Sequence, residues 1–135
     1  MDLSLSEEQR LLGEAAGRFI AGRYAFEAGR AIVQSREGFS REIWRELADL
    51  GWLGLSVPEA FGGLGAGAVE SGIVMEALGR ALVVEPYWTT AVVGARLVGE
   101  LGSEQQKAQM LADVVAGKSL LSFAQAEAPT RFALE

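Results

Sequence analysis

Apolar residues along this chain recur mostly at helical spacing. The first helix is predicted to start at Ser6, a good N-cap, with Gln9 placed to close a capping box. Glu7 and Glu8 then sit in the first turn, where the helix dipole favours negative charge. Leu12, Ala15, Ala16, Phe19 and Ile20 supply one apolar face. The segment Tyr24 to Arg36 carries a thinner stripe (Ala25, Phe26, Ala28, Ile32, Val33), weakened by Gly29. Ser40 is the next cap. Phe39 before it and Trp44 after it form a hydrophobic staple, and Ile43, Leu47 and Leu50 are the expected buried stripe. Gly51 is placed to end that helix in a left-handed conformation.

A glycine-rich connection follows from Gly51 to Gly67, with Pro58 holding Val57 extended. Ala68 to Leu82 is predicted helical, with Ile73, Val74, Ala77, Leu78 and Ala81 inward. Pro86 suits the first turn of a helix reaching Leu101. Ala91, Val92, Val93, Ala95, Leu97 and Val98 make it apolar on several sides, which predicts a place at the centre of a bundle. Gly102 stops it, Ser103 caps the last helix, and Ala108, Met110, Leu111, Val114 and Val115 are that helix's apolar side up to Gly117. Ser119 to Glu127 reads as a short strand. The expectation is an all-α, irregular bundle of five or six helices. One short strand follows, and it would begin a β domain whose remainder is not in this chain. The expected division is residues 1–118 for the helical domain and 119–135 for the start of that β domain.

Composition narrows the chemistry. The 135 residues suit one domain with a modest core; half are apolar and 22% are charged. Net charge is −6, and Lys and Arg are scattered singly, which argues against nucleic acid and anionic membrane surfaces. The acidic start does not resemble a secretory or mitochondrial leader, and no apolar run approaches the roughly 20 residues that span a bilayer. A cytoplasmic location is expected. With no Cys and no His, disulfides, thiol or imidazole catalysis and Cys/His zinc sites are excluded.

Four pieces in order carry a family resemblance: Leu5-Ser6-Glu7-Glu8-Gln9; the Val57-Pro58-Glu59 and Gly62-Gly63-Leu64-Gly65 loop; Met75-Glu76-Ala77-Leu78-Gly79-Arg80; and Gly102-Ser103-Glu104-Gln105-Gln106-Lys107 with Ala116-Gly117-Lys118. Together they resemble the N-terminal helical domain of the acyl-CoA dehydrogenase family. That resemblance implies an FAD-dependent α,β-dehydrogenation of an acyl-CoA thioester. It places a middle β domain and a C-terminal helical bundle after this domain, with the catalytic glutamate in the bundle, so no catalytic residue is expected here. The resemblance also implies acyl-CoA as substrate, electron-transfer flavoprotein or a similar acceptor, and a homo- or hetero-oligomer.

By resemblance, the strand region meets the flavin, which makes Phe123, Gln125 and Ala126 the candidate cofactor contacts. Active members usually carry Thr-Glu-Pro there; this chain has Ala126-Glu127-Ala128. The lost hydroxyl removes a flavin hydrogen bond worth about 1 kcal/mol. This departure resembles the small subunit of heteromeric acyl-CoA dehydrogenases of the pimeloyl-CoA type. It leaves open a second function, a non-catalytic helical subunit or interaction module that holds a catalytic partner.

Thr89, Val92 and Val93 are the candidate acyl-pocket residues, set against the plainer reading of bundle packing. The glycine loop lacks a P-loop's Gly-Lys-Ser/Thr ending and reads as a tight connection between helices. Glu46 with Asp49, and Glu76 with Glu85, read as solvated helix faces rather than acid/base pairs. Trp44, Trp52 and Trp88 read as core or inter-domain packing rather than ring-stacking partners.

Overall fold

The computed structural model describes residues 4–124, and six helices occur among them. Helix α1 spans Glu7–Arg23 and opens with the expected capping box: Ser6 Oγ accepts from Gln9 N at 3.1 Å, and Gln9 Oε1 accepts from Ser6 N at 3.0 Å. Helix α2 is Phe26–Val33, α3 is Arg41–Asp49 and α4 is Ala68–Arg80. Helix α5 is wound as a π-helix over Trp88–Gly94 and as an α-helix over Ala95–Leu101. Helix α6 starts at Glu104–Gln106, passes through a π segment Lys107–Leu111 and finishes at Ala112–Val115.

The main core gathers Ala16 from α1, Ile43, Trp44 and Leu47 from α3, and Val74 and Leu78 from α4 around Trp52 and Leu53. Helices α1 and α4 pack along each other, with Leu12, Ala15, Phe19 and Ile20 against this core as their spacing predicted. Phe19 meets the edge of Trp52 at 5.4 Å between ring centres. A smaller core joins Val57, Ala95, Leu111 and Val114, locking α6 under the loop and α5. Burying each Val or Leu side chain of this kind contributes about 1.5–3 kcal/mol.

The loop from Gly51 to Gly67 folds back on itself. Gly51 takes the left-handed conformation (φ 76°) that ends α3. Two 3₁₀ turns follow, Trp52–Gly54 and Glu59–Phe61. Leu64 N donates to Gly54 O, Gly65 N to Val57 O and Ala66 N to Leu55 O. Gly63 lies so close that an added Cβ would stand 2.0 Å from Val57 O, so only glycine fits. These N–H groups are spent inside the loop, consistent with a connection rather than a phosphate cradle.

Several expectations are corrected. Leu50 is exposed, because α3 ends at Asp49 and Gly51 turns the chain away. Helix α2 is shorter than Tyr24–Arg36; of its stripe only Ile32 reaches the core, while Ala25, Phe26, Ala28 and Val33 face out. Ala108 of α6 is also exposed. Helix α4 stops at Arg80, and Leu82, placed in that helix by its spacing, has φ 54° and is 81% exposed. Helix α5 is not central. Ala91 and Ala95 are buried, but Trp88 and Leu101 are exposed and Val92, Val93, Leu97 and Val98 are half-buried. Its apolar excess faces a groove and the outside.

Glu85 is buried rather than solvated: its Oε1 accepts from Ser40 N at 3.0 Å and so ties the start of α3 to the chain entering α5. Residues 119–124 form no helix or sheet ladder, and the rest of the expected strand, to Glu127, lies outside the described residues. No helix among the described residues is long and apolar enough to cross a membrane.

Candidate functional site

A groove of about 670 Å³ lies between the loop, α4 and α5. That volume is in the range of small-molecule sites. Ser56, Pro58 and Ala66 form its loop side, Ser71, Gly72 and Met75 its α4 side, and Trp88, Val92, Ala95 and Gly99 its α5 side. Arg96 and Glu100, paired at 2.8 Å, stand at its polar margin. The walls are held from behind. Tyr87 Oη donates to Trp52 O at 3.1 Å, and Ser56 Oγ donates to Ala91 O at 3.4 Å. Gln9 Nε2 donates to Glu70 Oε1 at 2.7 Å and ties α1 to α4.

Trp88 and Val92, four apart on the π segment, share one wall, and the stripe continues through Ala95 and Gly99 at ordinary helical spacing. Of the three candidate pocket residues, Val92 lines the groove. Thr89 is turned back on its own turn, its Oγ1 donating to Pro86 O at 3.2 Å, and Val93 is half-buried off the wall.

Thr90 and Gly94 share another face of the π-turn. Thr90 is fully buried, and its hydroxyl both accepts from Leu121 N and donates to Leu121 O, each at 3.1 Å. An added Cβ on Gly94 would stand 2.6 Å from Leu121 Cβ. Sequence reading missed both residues, although a Thr and a Gly four apart in an apolar helix were a visible signal. It also missed Ser71, Gly72, Met75 and Gly99, whose small or unbranched side chains leave the groove open. Phe123, the one candidate cofactor contact inside the described residues, is 55% exposed beyond this anchored point. Gln125 and Ala126 lie outside the described residues.

The groove's chemistry is that of a binding wall. Shifted titrations lie elsewhere. Burial pushes Tyr87 well above its ordinary value. Burial, and then the charge of nearby Glu85, raises Tyr24, whose Oη accepts from Val84 N at 3.1 Å. The Gln9 amide, with backbone N–H groups, holds Glu70 below its usual range. Glu46 and Glu42, bridged by Arg23, raise the guanidinium further. Among the described residues no His, Cys, Asp and Glu cluster could hold a metal. Trp44 and Trp52 are core residues, whereas Trp88 lies exposed along the groove.

The described residues thus form a six-helix domain with an open groove and a chain pinned across the back of one groove wall. The family described as "Acyl-CoA dehydrogenase, N-terminal domain" matches residues 6–118, and the chain belongs to it. The relatives include the acyl-CoA dehydrogenase FadE27 of Mycobacterium tuberculosis, 31% identical over 92% of this chain and 33% of that protein. Among solved structures, the ChsE4–ChsE5 complex from Mycobacterium tuberculosis shares the fold with a TM-score of 0.83 and 30% identity, covering 90% of this chain and 34% of that one. An acyl-CoA dehydrogenase from Bacillus anthracis, solved with FAD, shares the fold alone, with a TM-score of 0.77 and 24% identity over 93% of this chain and 22% of that one. The chain thus spans about a third of the length of the curated relatives it matches.

Proposed function

We propose that this chain is the N-terminal helical portion of an FAD-dependent acyl-CoA dehydrogenase, forming one wall of the acyl pocket and a docking surface for the rest of the enzyme, and inactive by itself. The groove between α4 and α5 carries this reading. It is apolar, it is open along one side, and an alkyl chain laid in it would meet Met75, Trp88 and Val92. Thr89 and Val93 would contribute through the shape of the π-turn rather than by contact.

FAD is the cofactor of the proposed enzyme, and its fit to the residues here is partial. Phe123 is exposed where a ring system would meet it, and Gln125 and Ala126 follow in sequence. Lys and Arg are scattered and the loop's N–H groups are spent internally, so the described residues offer little to a pyrophosphate. FAD supplies the hydride acceptor when bound; this chain's own part is to wall the pocket and present one edge to the ring. In this reading residues 1–118 are the helical domain and 119–135 start the next. The partners are an acyl-CoA thioester, further subunits of the same or another kind, and an acceptor such as electron-transfer flavoprotein, in the cytoplasm.

A second reading, a helical subunit that holds a catalytic partner, is favoured by Ala126 and Ala128, at positions where the family resemblance implies Thr and Pro in active members. The test is to titrate the chain separately with FAD and with octanoyl-CoA, following flavin retention and tryptophan emission, with Trp88→Phe as the control that separates Trp88 from Trp44 and Trp52. No flavin should be retained at micromolar concentration, while the thioester should shift the emission of the wild type and not that of Trp88→Phe. Gly99→Leu, which fills the groove from a site with open space around it, should abolish that shift. Retained flavin would mean that the flavin site forms without the rest of the enzyme, against the reading of this chain as a portion of one. A thioester response untouched by Gly99→Leu would overturn the groove assignment.

A further inference from the structure

A segment leaving a helical domain towards a sheet ordinarily has no partner for its backbone until that sheet is built. Here Leu121 has one before any strand is present. Both polar groups of its main chain meet a single buried hydroxyl, that of Thr90, at 3.1 Å each. A hydroxyl is among the few side-chain groups that can donate and accept at once, as a neighbouring strand does. Gly94 makes the approach possible, because any Cβ there would collide with Leu121. On the π segment Thr90 and Gly94, four apart, share one face, while Trp88 and Val92, likewise four apart, line the groove. The same turn therefore shapes the groove and grips the exit chain.

We propose that Thr90 and Gly94 form a clasp that substitutes for a β-strand partner and fixes the path by which the chain leaves this domain, which makes Thr90 a positioning residue. The clasp sets where Phe123, two residues beyond Leu121, emerges relative to the groove wall. Its consequence for a flavin rests on the function proposed above; the clasp itself does not.

The test uses the flavin-free 135-residue chain. Amide hydrogen exchange is read at Leu121 in the wild type, Thr90→Val and Thr90→Ser, with the Val74 and Leu111 amides as reporters of global stability. Thr90→Val keeps the shape and removes the hydroxyl. It should speed exchange at Leu121 by about tenfold, the scale of a lost hydrogen bond, relative to any change at Val74 and Leu111. Thr90→Ser keeps the hydroxyl and should restore the wild-type ratio. If Thr90→Val leaves the Leu121 ratio unchanged, the clasp is not what holds the segment. If Thr90→Ser exchanges as fast as Thr90→Val, the hydroxyl by itself does not hold the segment. Either result overturns the proposal, whereas failure to bind a thioester or flavin bears only on the function.

Discussion

Two glycines of α5 should respond to the same substitution with opposite sign. In a helix interior, Gly→Ala gains about 1 kcal/mol from propensity alone. Gly99 has nothing within 4 Å of where a Cβ would stand, so Gly99→Ala should stabilise by about 0.5–1 kcal/mol. At Gly94 the same methyl would meet Leu121 Cβ at 2.6 Å and Thr89 O at 2.8 Å. Overpacking of this kind costs about 1–3 kcal/mol. Moving Leu121 away also releases the Thr90 hydroxyl from a fully buried position, at a further cost of about 1–3 kcal/mol if no water replaces the bond. Set against the propensity gain, Gly94→Ala should destabilise by about 1–5 kcal/mol net. Urea unfolding followed by helical circular dichroism, with slope and midpoint fitted separately, measures both variants. If the two midpoints move in the same direction by similar amounts, the close approach of Leu121 to α5 is not a feature of the folded protein.

Other expectations concern stability. Leu82 holds φ 54° with its side chain in solvent, a conformation costing roughly 1–2 kcal/mol for an L-residue; Leu82→Asn should raise stability by about 0.5–1 kcal/mol, and a fall in the urea midpoint would contradict the strain. At high pH, Tyr24 and Tyr87 have folded-state pKa values raised above 10.0, so the folded state holds their protons more tightly than the unfolded chain. Their contribution is complete below pH 10.0 and is lost as pH rises above it. Tyr87→Phe should therefore flatten the alkaline fall in the urea midpoint, and an unchanged slope would sink the assignment. At low pH, the depressed Glu70 contributes above its ordinary value of 4.5 and loses that contribution as pH falls through its folded value; Glu70→Gln should remove this part of the acid limb in the same assay.

The caps, the glycine stops and most buried stripes were legible because they are local. Ser6 with Gln9, Ser40 before Ile43, and Ser103 with Gln106 each bond within three residues. Short-range chemistry of that kind is written in the order of residues. So was the family, since four local signatures in sequence survive without any tertiary contact. The departures arose where a distant group overrode the local pattern. Glu85 looked solvated in sequence, yet it is buried because Ser40, 45 positions away, donates to it. Leu50 continued a stripe whose helix had already ended.

For the groove, the sequence alone determined that α5 would carry more apolar surface than a simple bundle needs. Only the tertiary structure decided which residues that surface presents. Val92 lines the groove with Trp88 and Ala95 while Thr89 bonds back to Pro86, and which of these residues meets the groove depends on how α5 is turned against α4 and the loop. The meeting of Thr90, Gly94 and Leu121 was equally out of reach, because it depends on a contact across 31 positions whose geometry exists only once α6 has packed beneath α5. Local hydrogen bonding and periodicity are encoded residue by residue. Which face a helix turns to a groove, and which chain lies across its back, are settled by the packing of the whole domain.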